Sequence, residues 1–328
     1  PYTPIANPRY LVEGWSFGIR PETIQENIDK AKSKGAEVIV LLSHNGFDVD
    51  QKLATMLDNV DVILTGHTHD AIPRAIKIKN TLLLSSGSHG KYLGRIDLKV
   101  DNGKVIDSSS NLIPIFSDII QPDPEMNRLI DKIREPYEEE CNRVVGEAET
   151  LLYRRGNFGG PWDSVICDAI IQKRDVQISL SPGFRWGTTL LPGQKITIDD
   201  IYSQTSMNYP EVYRTEMSGE TIKNLLEDVC DNIFNPDPFF QQGGDMVRVG
   251  GMSYTCHPKN KMGNRISDLS LSPSGEKIEA QKKYTVGGWG SINPDVEGPA
   301  IYNVLEDYIS DKQNISPKQN NPVTIKGI

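Results

Sequence analysis

The first third of the chain alternates between helical and extended patterns of apolar residues. Pro21 opens a segment with apolar residues at helical spacing that ends at Gly35, and a second, shorter helix is predicted over residues 49–57. Three apolar runs without polar alternation accompany these helices, at residues 37–42, 60–65 and 81–85. Such runs are typical of strands buried on both faces of a parallel or mixed sheet. The alternating segments around Asp101-Asn102-Gly103 predict a β-hairpin at the end of this layer.

The pattern changes after residue 118. A charged segment with one apolar helical stripe follows over residues 119–146, and Pro136 is expected to kink or divide its helix. Helices and strands are mixed over residues 147–328, where the glycine- and proline-rich tract 234–251 is predicted to be a long loop outside the folded core. The patterns therefore predict an α/β domain over residues 1–118, a helical linker over 119–146 and an α+β domain over 147–328.

Composition and charge exclude some classes of ligand. The formal net charge of the 328 residues is −9, which argues against nucleic acid as the main ligand, because phosphate backbones need clustered Lys and Arg. No apolar run approaches the roughly 20 residues that span a bilayer, so no membrane span is predicted. The four cysteines are scattered without a CxxC pair, which disfavours a zinc knuckle and leaves both free thiols and disulfides open.

Three of the five histidines directly follow predicted buried strands. His44 follows the first strand, and His67 and His69 follow the second in the turn Gly66-His67-Thr68-His69-Asp70. Ligands of open α/β sheets bind at the carboxyl ends of the strands, and neutral imidazole is the commonest transition-metal ligand. We therefore predict a metal site with these three histidines as ligands. A lone loop histidine would carry no such inference.

Three other residues are assigned supporting or catalytic roles at this site. A carboxylate usually fixes the tautomer of a metal-bound imidazole, which makes Asp70 a candidate. His89 follows the third predicted strand and is expected to approach the site from there. Asn45 lies next to His44 and completes the set.

Two of these segments resemble metal-binding blocks of the calcineurin-like metallophosphoesterases. Residues 61–70 resemble the last metal-binding block, and residues 43–46 resemble the preceding histidine block. Within that class the layout after residue 145, including Leu191-Pro192-Gly193 and Met217-Ser218-Gly219, is similar to the 5'-nucleotidase superfamily. The resemblance implies two divalent ions, with His44 and His67 on one and His69 on the other.

The resemblance also implies an architecture. Residues 1–118 would be the carboxy-terminal part of a four-layer metallophosphoesterase β-sandwich, residues 119–146 a linker helix, and residues 147–328 the substrate-binding carboxy-terminal domain. The family's remaining ligands come from amino-terminal D-x-H, G-D and G-N-H-[DE] blocks, which the chain does not carry ahead of His44. We therefore expect that upstream sequence is missing, with any signal peptide, and that the chain as given binds metal poorly.

Several segments point to one branch of the superfamily. Residues 153–158, 181–189, 234–238, 241–248 and 288–294 resemble the sulfate thiohydrolases (SoxB) of the Sox sulfur-oxidation pathway. This resemblance implies a periplasmic hydrolase that releases sulfate from a cysteine-bound S-thiosulfonate on a sulfur-carrier protein. Manganese is the expected metal, with zinc and iron as alternatives. The resemblance makes Arg185 the candidate for binding the substrate anion, and further candidates are Arg248 and Arg155.

Two other functions stay open. The first is a 5'-nucleotidase or 2',3'-cyclic-nucleotide phosphodiesterase with the same metal site, although the nucleotidase block G-G-D-G-Y is absent. The second is a non-catalytic module that recognises the carrier protein through residues 147–328. Metal content and the choice of substrate distinguish these three functions.

Overall fold

The computed structural model describes residues 7–293, 295–317 and 322–327. The contacts divide the chain into two compact units. The first consists mainly of Val12–Leu129, joined by the later segment Asn235–Gly243. The second consists mainly of Ile130–Phe234 and Gly244–Ile328. A mixed α/β fold was predicted, and it is confirmed.

The first unit is built on a four-stranded sheet with helices. Its elements are α1 (Pro21–Ser33), β1 (Val40–Ser43), α2 (Phe47–Met56), β2 (Val62–Thr65), β3 (Ile76–Ile78), β4 (Thr81–Ser85), β5 (Tyr92–Asp101) and β6 (Lys104–Pro114). The division between the two units falls within the next helix, α3 (Pro124–Arg134), after Leu129. The sheet order is β1-β2-β4-β3, and only β3 runs antiparallel to its neighbour. The three parallel strands therefore end side by side, with Ser43 opposite Thr65 and Thr65 opposite Ser85.

The prediction that the first strand is buried on both faces was wrong. Leu53 of α2, Ile63 of β2 and Leu83 of β4 belong to the core cluster on one face of the sheet. In β1, by contrast, Leu42 is 83% exposed. This strand lies at the edge of the sheet, and among the described residues the packing covers one of its faces. The strand also begins at Val40, three residues later than the start of the apolar run at residue 37.

The hairpin and the divided helix were predicted from their local signals. β5 and β6 pair antiparallel around Asn102 and Gly103 and extend further than predicted, to Pro114. The helix α3 ends at Arg134, and a 3-10 turn containing Pro136 separates it from α4 (Glu138–Cys141). Proline lacks the amide hydrogen that a continuous helix needs, so the division at this position is expected.

The second unit combines several small sheets with helices. Its elements are β7 (Val144–Ala148), α5 (Pro161–Arg174), β8 (Ile178–Ser181), β9 (Lys195–Thr197), α6 (Ile198–Thr205), β10 (Tyr213–Ser218), α7 (Gly219–Phe234), β11 (Arg248–Gly250), β12 (Met252–Cys256), β13 (Ile266–Leu271), β14 (Lys283–Gly288), α8 (Ile301–Lys312), β15 (Asn314–Ile315) and β16 (Val323–Ile325). Its central sheet has the order β10-β14-β8-β11, and a second sheet has the order β13-β12-β16. One core cluster surrounds Trp162 of α5, and another surrounds Leu226 of α7.

The prediction that residues 234–251 lie outside the folded core was wrong for part of that tract. β11 pairs with β8, with Val249 opposite Leu180, and Met246 is fully buried. The tract also contains a 3-10 turn at Pro238–Phe240. Its glycine and proline content therefore marks sharp turns between packed segments. In the part of the chain that the structure describes, no helix is long and apolar enough to cross a membrane.

Candidate functional site

His44 and His67 lie on adjacent loops at the carboxyl ends of β1 and β2. The backbone N–H of Gly66 donates to the carbonyl of Ser43 at 3.0 Å, which joins the two loops directly after the strands. The N–H of Phe47 donates to the hydroxyl of Thr68 at 3.0 Å and joins them again one turn later. The two imidazole rings meet edge to face, with ring centroids 5.2 Å apart. The fold therefore brings together two of the predicted metal ligands.

Two glycines permit this close approach of the loops. A Cβ atom at Gly66 would lie 3.0 Å from Nδ1 of His44. A Cβ atom at Gly46 would lie 2.9 Å from the methyl group of Thr68, and the φ of Gly46 is +106°, in the region that favours glycine. The side chains of the two loops therefore pack directly against backbone.

His69 and His89 form a second pair of imidazoles. Their ring centroids are 5.6 Å apart, so His89 reaches the neighbourhood of the second predicted ligand from the loop after β4. The φ angles of His67, His69 and His89 are +83°, +61° and +59°. Positive φ is uncommon for non-glycine residues and recurs where the surrounding structure holds a side chain in a functional position.

A buried carboxylate beneath the histidine loops was not among the predicted site residues. Asp50 of α2 is fully buried and accepts hydrogen bonds from the hydroxyls of Ser43, at 2.7 Å, and of Thr65. Burial raises its pKa, whereas the hydrogen bonds from Thr65, Ser43 and the Asn45 side chain lower it. Asp50 therefore ties the ends of β1 and β2 together. The signal was its spacing, which places it in the first turn of the helix after His44.

The other supporting candidates have different positions. Asn45 contributes through its hydrogen bond to Asp50. Asp70 is exposed, and its backbone carbonyl accepts from the hydroxyl of Ser85 at 2.6 Å, which anchors the turn to the end of β4. Its carboxylate also raises the pKa of Asp48, after the larger effect of the burial of Asp48. The role of Asp70 as a tautomer-fixing carboxylate stays a prediction.

The segment Asn235–Gly243, which is distant in sequence, packs against α2 and against His67. Lys52 of α2 forms an ion pair with Asp237 at 2.6 Å and lies 4.0 Å from the ring centroid of Phe239. The segment ends just after Gln242, whose backbone carbonyl lies 2.8 Å from Nε2 of His67. Because a carbonyl can only accept, Nε2 of His67 is the donor in this bond.

These donors match part of a metal site. Three neutral imidazoles on adjacent strand ends are suitable nitrogen ligands for manganese, zinc or iron. Among the residues that the structure describes, however, no three His, Cys, Asp or Glu side chains are grouped closely enough to hold an ion by themselves. The residues present therefore fit the imidazole part of a site, and the described residues do not complete a three-ligand group around it.

The predicted arginines belong to the second unit, where two of them share a buried carboxylate network. Nη2 of Arg248 donates to Asp245 at 2.9 Å, and Nε of Arg185 lies 3.5 Å from the same carboxylate. Burial raises the pKa of Asp245, although the neighbouring Arg248 and Arg185 lower it. Arg248 is only 1% exposed, and its Nη1 is buried without a hydrogen-bond partner. Arg185 keeps more of its side chain accessible, at 18%.

Sequence reasoning missed a third arginine in this network. Nε of Arg154 donates to Asp163 at 2.7 Å, and its Nη1 donates to the carbonyl of Gln204 at 2.7 Å. Burial lowers the pKa of Arg154, and the carboxylate of Asp163 opposes that effect. The neighbouring candidate Arg155 is only partly buried. The signal that was missed is the alternation of buried positions, because Leu152 and Arg154 lie two residues apart and both are buried.

Aromatic rings lie beside these arginines. Phe184 stacks on Trp186 with ring centroids 3.7 Å apart, and Trp289 meets Phe184 edge to face at 5.9 Å. The guanidinium of Arg154 lies 5.5 Å from the ring centroid of Phe184. The indole N–H of Trp289 donates to Ser181 at 2.8 Å. The cluster therefore combines rigid apolar surface with fixed positive charge.

Comparison with known proteins gives matches that agree with this geometry. Residues 144–292 match the family model of the 5'-nucleotidase C-terminal domain. Over its whole length the chain is similar to the structure of the sulfate thiohydrolase SoxB of Thermus thermophilus, with 33% identity and a TM-score of 0.95, and it covers 62% of that chain. It is also 26% identical over 280 residues to the trifunctional nucleotide phosphoesterase YfkN of Bacillus subtilis. The aligned region covers 78% of this chain and 18% of that protein.

A second solved structure shares the fold at lower identity. A 5'-nucleotidase precursor, also of Thermus thermophilus, superposes with a TM-score of 0.78 at 18% identity, over 94% of this chain and 68% of that one. The chain thus spans less than two thirds of the SoxB structure and about a fifth of the Bacillus protein. The chain therefore has the fold of the 5'-nucleotidase superfamily, with the superfamily's carboxy-terminal domain over residues 144–292.

Proposed function

We propose that this protein is a metal-dependent hydrolase that releases sulfate from a cysteine-bound S-thiosulfonate on a sulfur-carrier protein. The observation that carries the proposal is the similarity to the SoxB sulfate thiohydrolase, at 33% identity over 100% of this chain. The nucleotidase and phosphoesterase relatives support the more general statement that this protein is a hydrolase of the metallophosphoesterase type. A periplasmic location belongs to the same proposal.

The histidine loops of the first unit would hold the metal. His44, His67 and His69 are the proposed ligands, manganese is the proposed metal, and zinc and iron are the alternatives. Bound divalent ions would lower the pKa of a water ligand toward neutrality and neutralise charge on the sulfonate oxygens of the substrate. Carboxylate ligands would complete the site, because the described residues do not form a three-ligand group by themselves.

The substrate anion would meet Arg185 in the second unit. Its partner Asp245 holds the Nε side of the guanidinium, and the side chain remains partly accessible. A guanidinium can bind two oxygens of a sulfonate in parallel, which a lysine ammonium cannot. Arg248 and Arg155 remain proposed contributors, and the burial of Arg248 makes it a support for Asp245 as well.

The test compares two substrates on the complete protein with manganese. The expected result is sulfate release from a carrier protein loaded with a cysteine-linked thiosulfonate, and little phosphate release from AMP. The Arg185→Lys variant should lower kcat/KM by roughly 10- to 100-fold, the value of a lost hydrogen bond to a charged group. The exposed Arg95, which pairs with Asp97, gives the matched control Arg95→Lys, which should not change kcat/KM.

The runner-up function is a 5'-nucleotidase, which the family match over residues 144–292 favours. Phosphate release from AMP without sulfate release would establish it and refute the sulfate proposal. The remaining alternative is a non-catalytic module that binds the carrier. Metal analysis of the complete protein separates it from both enzymes, because the module predicts fewer than one bound ion per chain.

A further inference from the structure

Two of the four cysteines lie side by side in the core of the second unit. The Sγ atoms of Cys230 and Cys256 are 3.6 Å apart, and both residues are fully buried. Cys230 belongs to α7, and Cys256 is the last residue of β12. A disulfide bond places its sulfurs about 2.05 Å apart, so closure needs an approach of roughly 1.5 Å.

The two elements that carry these thiols are both anchored in the same core. Ile222, Leu226 and Cys230 follow one another at intervals of four residues along the buried face of α7. β12 is the central strand of its sheet, between β13 and β16. The thiol–thiol contact is therefore a property of the packed core, and no loop movement is needed to create it.

The immediate surroundings distinguish the two thiols from each other. The hydrogen bond between them raises the pKa of Cys230 and lowers the pKa of Cys256, so Cys256 ionises first. The guanidinium of Arg265 lowers both pKa values, and the carboxylate of Glu227 raises them. The thiolate is the nucleophile in thiol–disulfide exchange, so Cys256 is the more reactive of the two thiols while the pair is packed.

We propose that Cys230 and Cys256 are a site of covalent cross-linking, which closes to a disulfide by exchange with a low-molecular-weight disulfide. One of the two thiols, as its thiolate, attacks one sulfur of the reagent, forms a mixed disulfide and releases one reagent thiolate. The other thiol then loses its proton to solvent and displaces the second reagent thiolate from the mixed disulfide. In total the two protein thiols lose two electrons and two protons, and the reagent disulfide is reduced to two thiols.

Burial determines when this exchange takes place. Neither sulfur is accessible in the folded core, so the reagent reaches them only before the core closes or after it opens locally. Closure is therefore fast during folding and slow in the reduced, folded protein. The bond would then tie α7 to β12 across a separation of 26 residues.

In the test, the full chain is refolded in a glutathione redox buffer and, separately, in dithiothreitol. Free thiols are then alkylated with N-ethylmaleimide under denaturing conditions and counted by mass spectrometry. Two alkylated thiols are expected from the oxidised sample and four from the reduced one, with a Cys230–Cys256 peptide in the non-reduced digest. The oxidised chain should unfold at a temperature higher by roughly 5–10 °C. A folded, reduced sample given the same buffer should oxidise much more slowly.

The other two cysteines provide the controls. Cys141 lies on α4 and is partly exposed, whereas Cys167 lies buried on α5, where burial raises its pKa to about 12. The double variant Cys141→Ser, Cys167→Ser keeps the proposed pair and should still lose both of its alkylation sites on oxidation. The variant Cys230→Ser should keep all three of its thiols. Four alkylated thiols in the oxidised wild type, or a disulfide that includes Cys141, would overturn the proposal.

Discussion

Replacing Asp163 with asparagine should destabilise the second unit more than any exposed charge change does. Asp163 accepts from Nε of Arg154 at 2.7 Å, and its other oxygen lies 3.3 Å from Nε of Arg248. All three side chains are at most 4% exposed, so water does not replace the lost partner. After the substitution Arg248 would keep the carboxylate of Asp245, and Arg154 would keep only neutral acceptors such as the carbonyls of Gln204 and Pro182.

The expected loss of stability follows from this burial. Removing one member of a buried, hydrogen-bonded charge pair costs about 3–5 kcal/mol, because the remaining charge stays buried without compensation. Asp163 also accepts from the backbone N–H of Gly160 at 2.9 Å, at the amino terminus of α5. Asparagine has one acceptor oxygen, so it can keep either this bond or the bond from Arg154, and the substitution removes an acceptor together with the charge. For a unit of this size the unfolding temperature should fall by roughly 10 °C.

Urea unfolding followed by tryptophan fluorescence measures this change selectively. Trp162, Trp186 and Trp289 lie in the second unit, and two of them are buried. The control is Glu216→Gln, which removes a pair with Lys283 whose side chains are 60% and 69% exposed. That control should change the free energy of unfolding by less than about 0.5 kcal/mol. A loss below about 1 kcal/mol in Asp163→Asn would refute the argument from buried charge.

Three further outcomes are expected. Gly243→Ala would place a Cβ 2.3 Å from Nε2 of His67, so calorimetry on the complete protein should show manganese binding weakened about 10-fold or more. The control Gly263→Ala has a similar φ and open space around it, and it should not weaken manganese binding. Burial raises the pKa of Glu227, but hydrogen bonds from backbone N–H groups and from Lys223 lower it by more, so its pKa in the folded protein lies below the ordinary value. The stability lost in Glu227→Gln should therefore be largest at neutral pH and vanish as the pH falls below about 4. Trp289→Phe removes a hydrogen bond of 2.8 Å and should cost about 1 kcal/mol in urea unfolding.

The sequence predicted best those elements whose signals are local. The apolar run at residues 81–85 coincides with β4, because a central strand is covered on both sides and tolerates no charged residue. The division at Pro136 depends on one missing amide hydrogen and needed no tertiary information. The edge strand β1 was placed less well, since its exposed Leu42 reads in the sequence like a buried residue.

The candidate site was less predictable, because long-range contacts determine it. The proximity of His44 and His67 was predicted from strand ends alone, whereas Asp50 forms its bonds only once β1 and β2 are paired. The ion pair of Lys52 with Asp237 joins residues 185 positions apart, and no local sequence pattern predicts it. The tract 234–251 was therefore interpreted as a loop, although part of it packs against His67.

The contact between that tract and His67 has a chemical consequence for the site. A neutral imidazole carries one hydrogen, and the Gln242 carbonyl can only accept, so the hydrogen of His67 lies on Nε2 and the lone pair lies on Nδ1. The segment that ends at Gly243 therefore decides which ring nitrogen His67 offers. A metal at this site would depend on a carbonyl that comes from far along the chain, which is why the histidine turn alone does not specify the site.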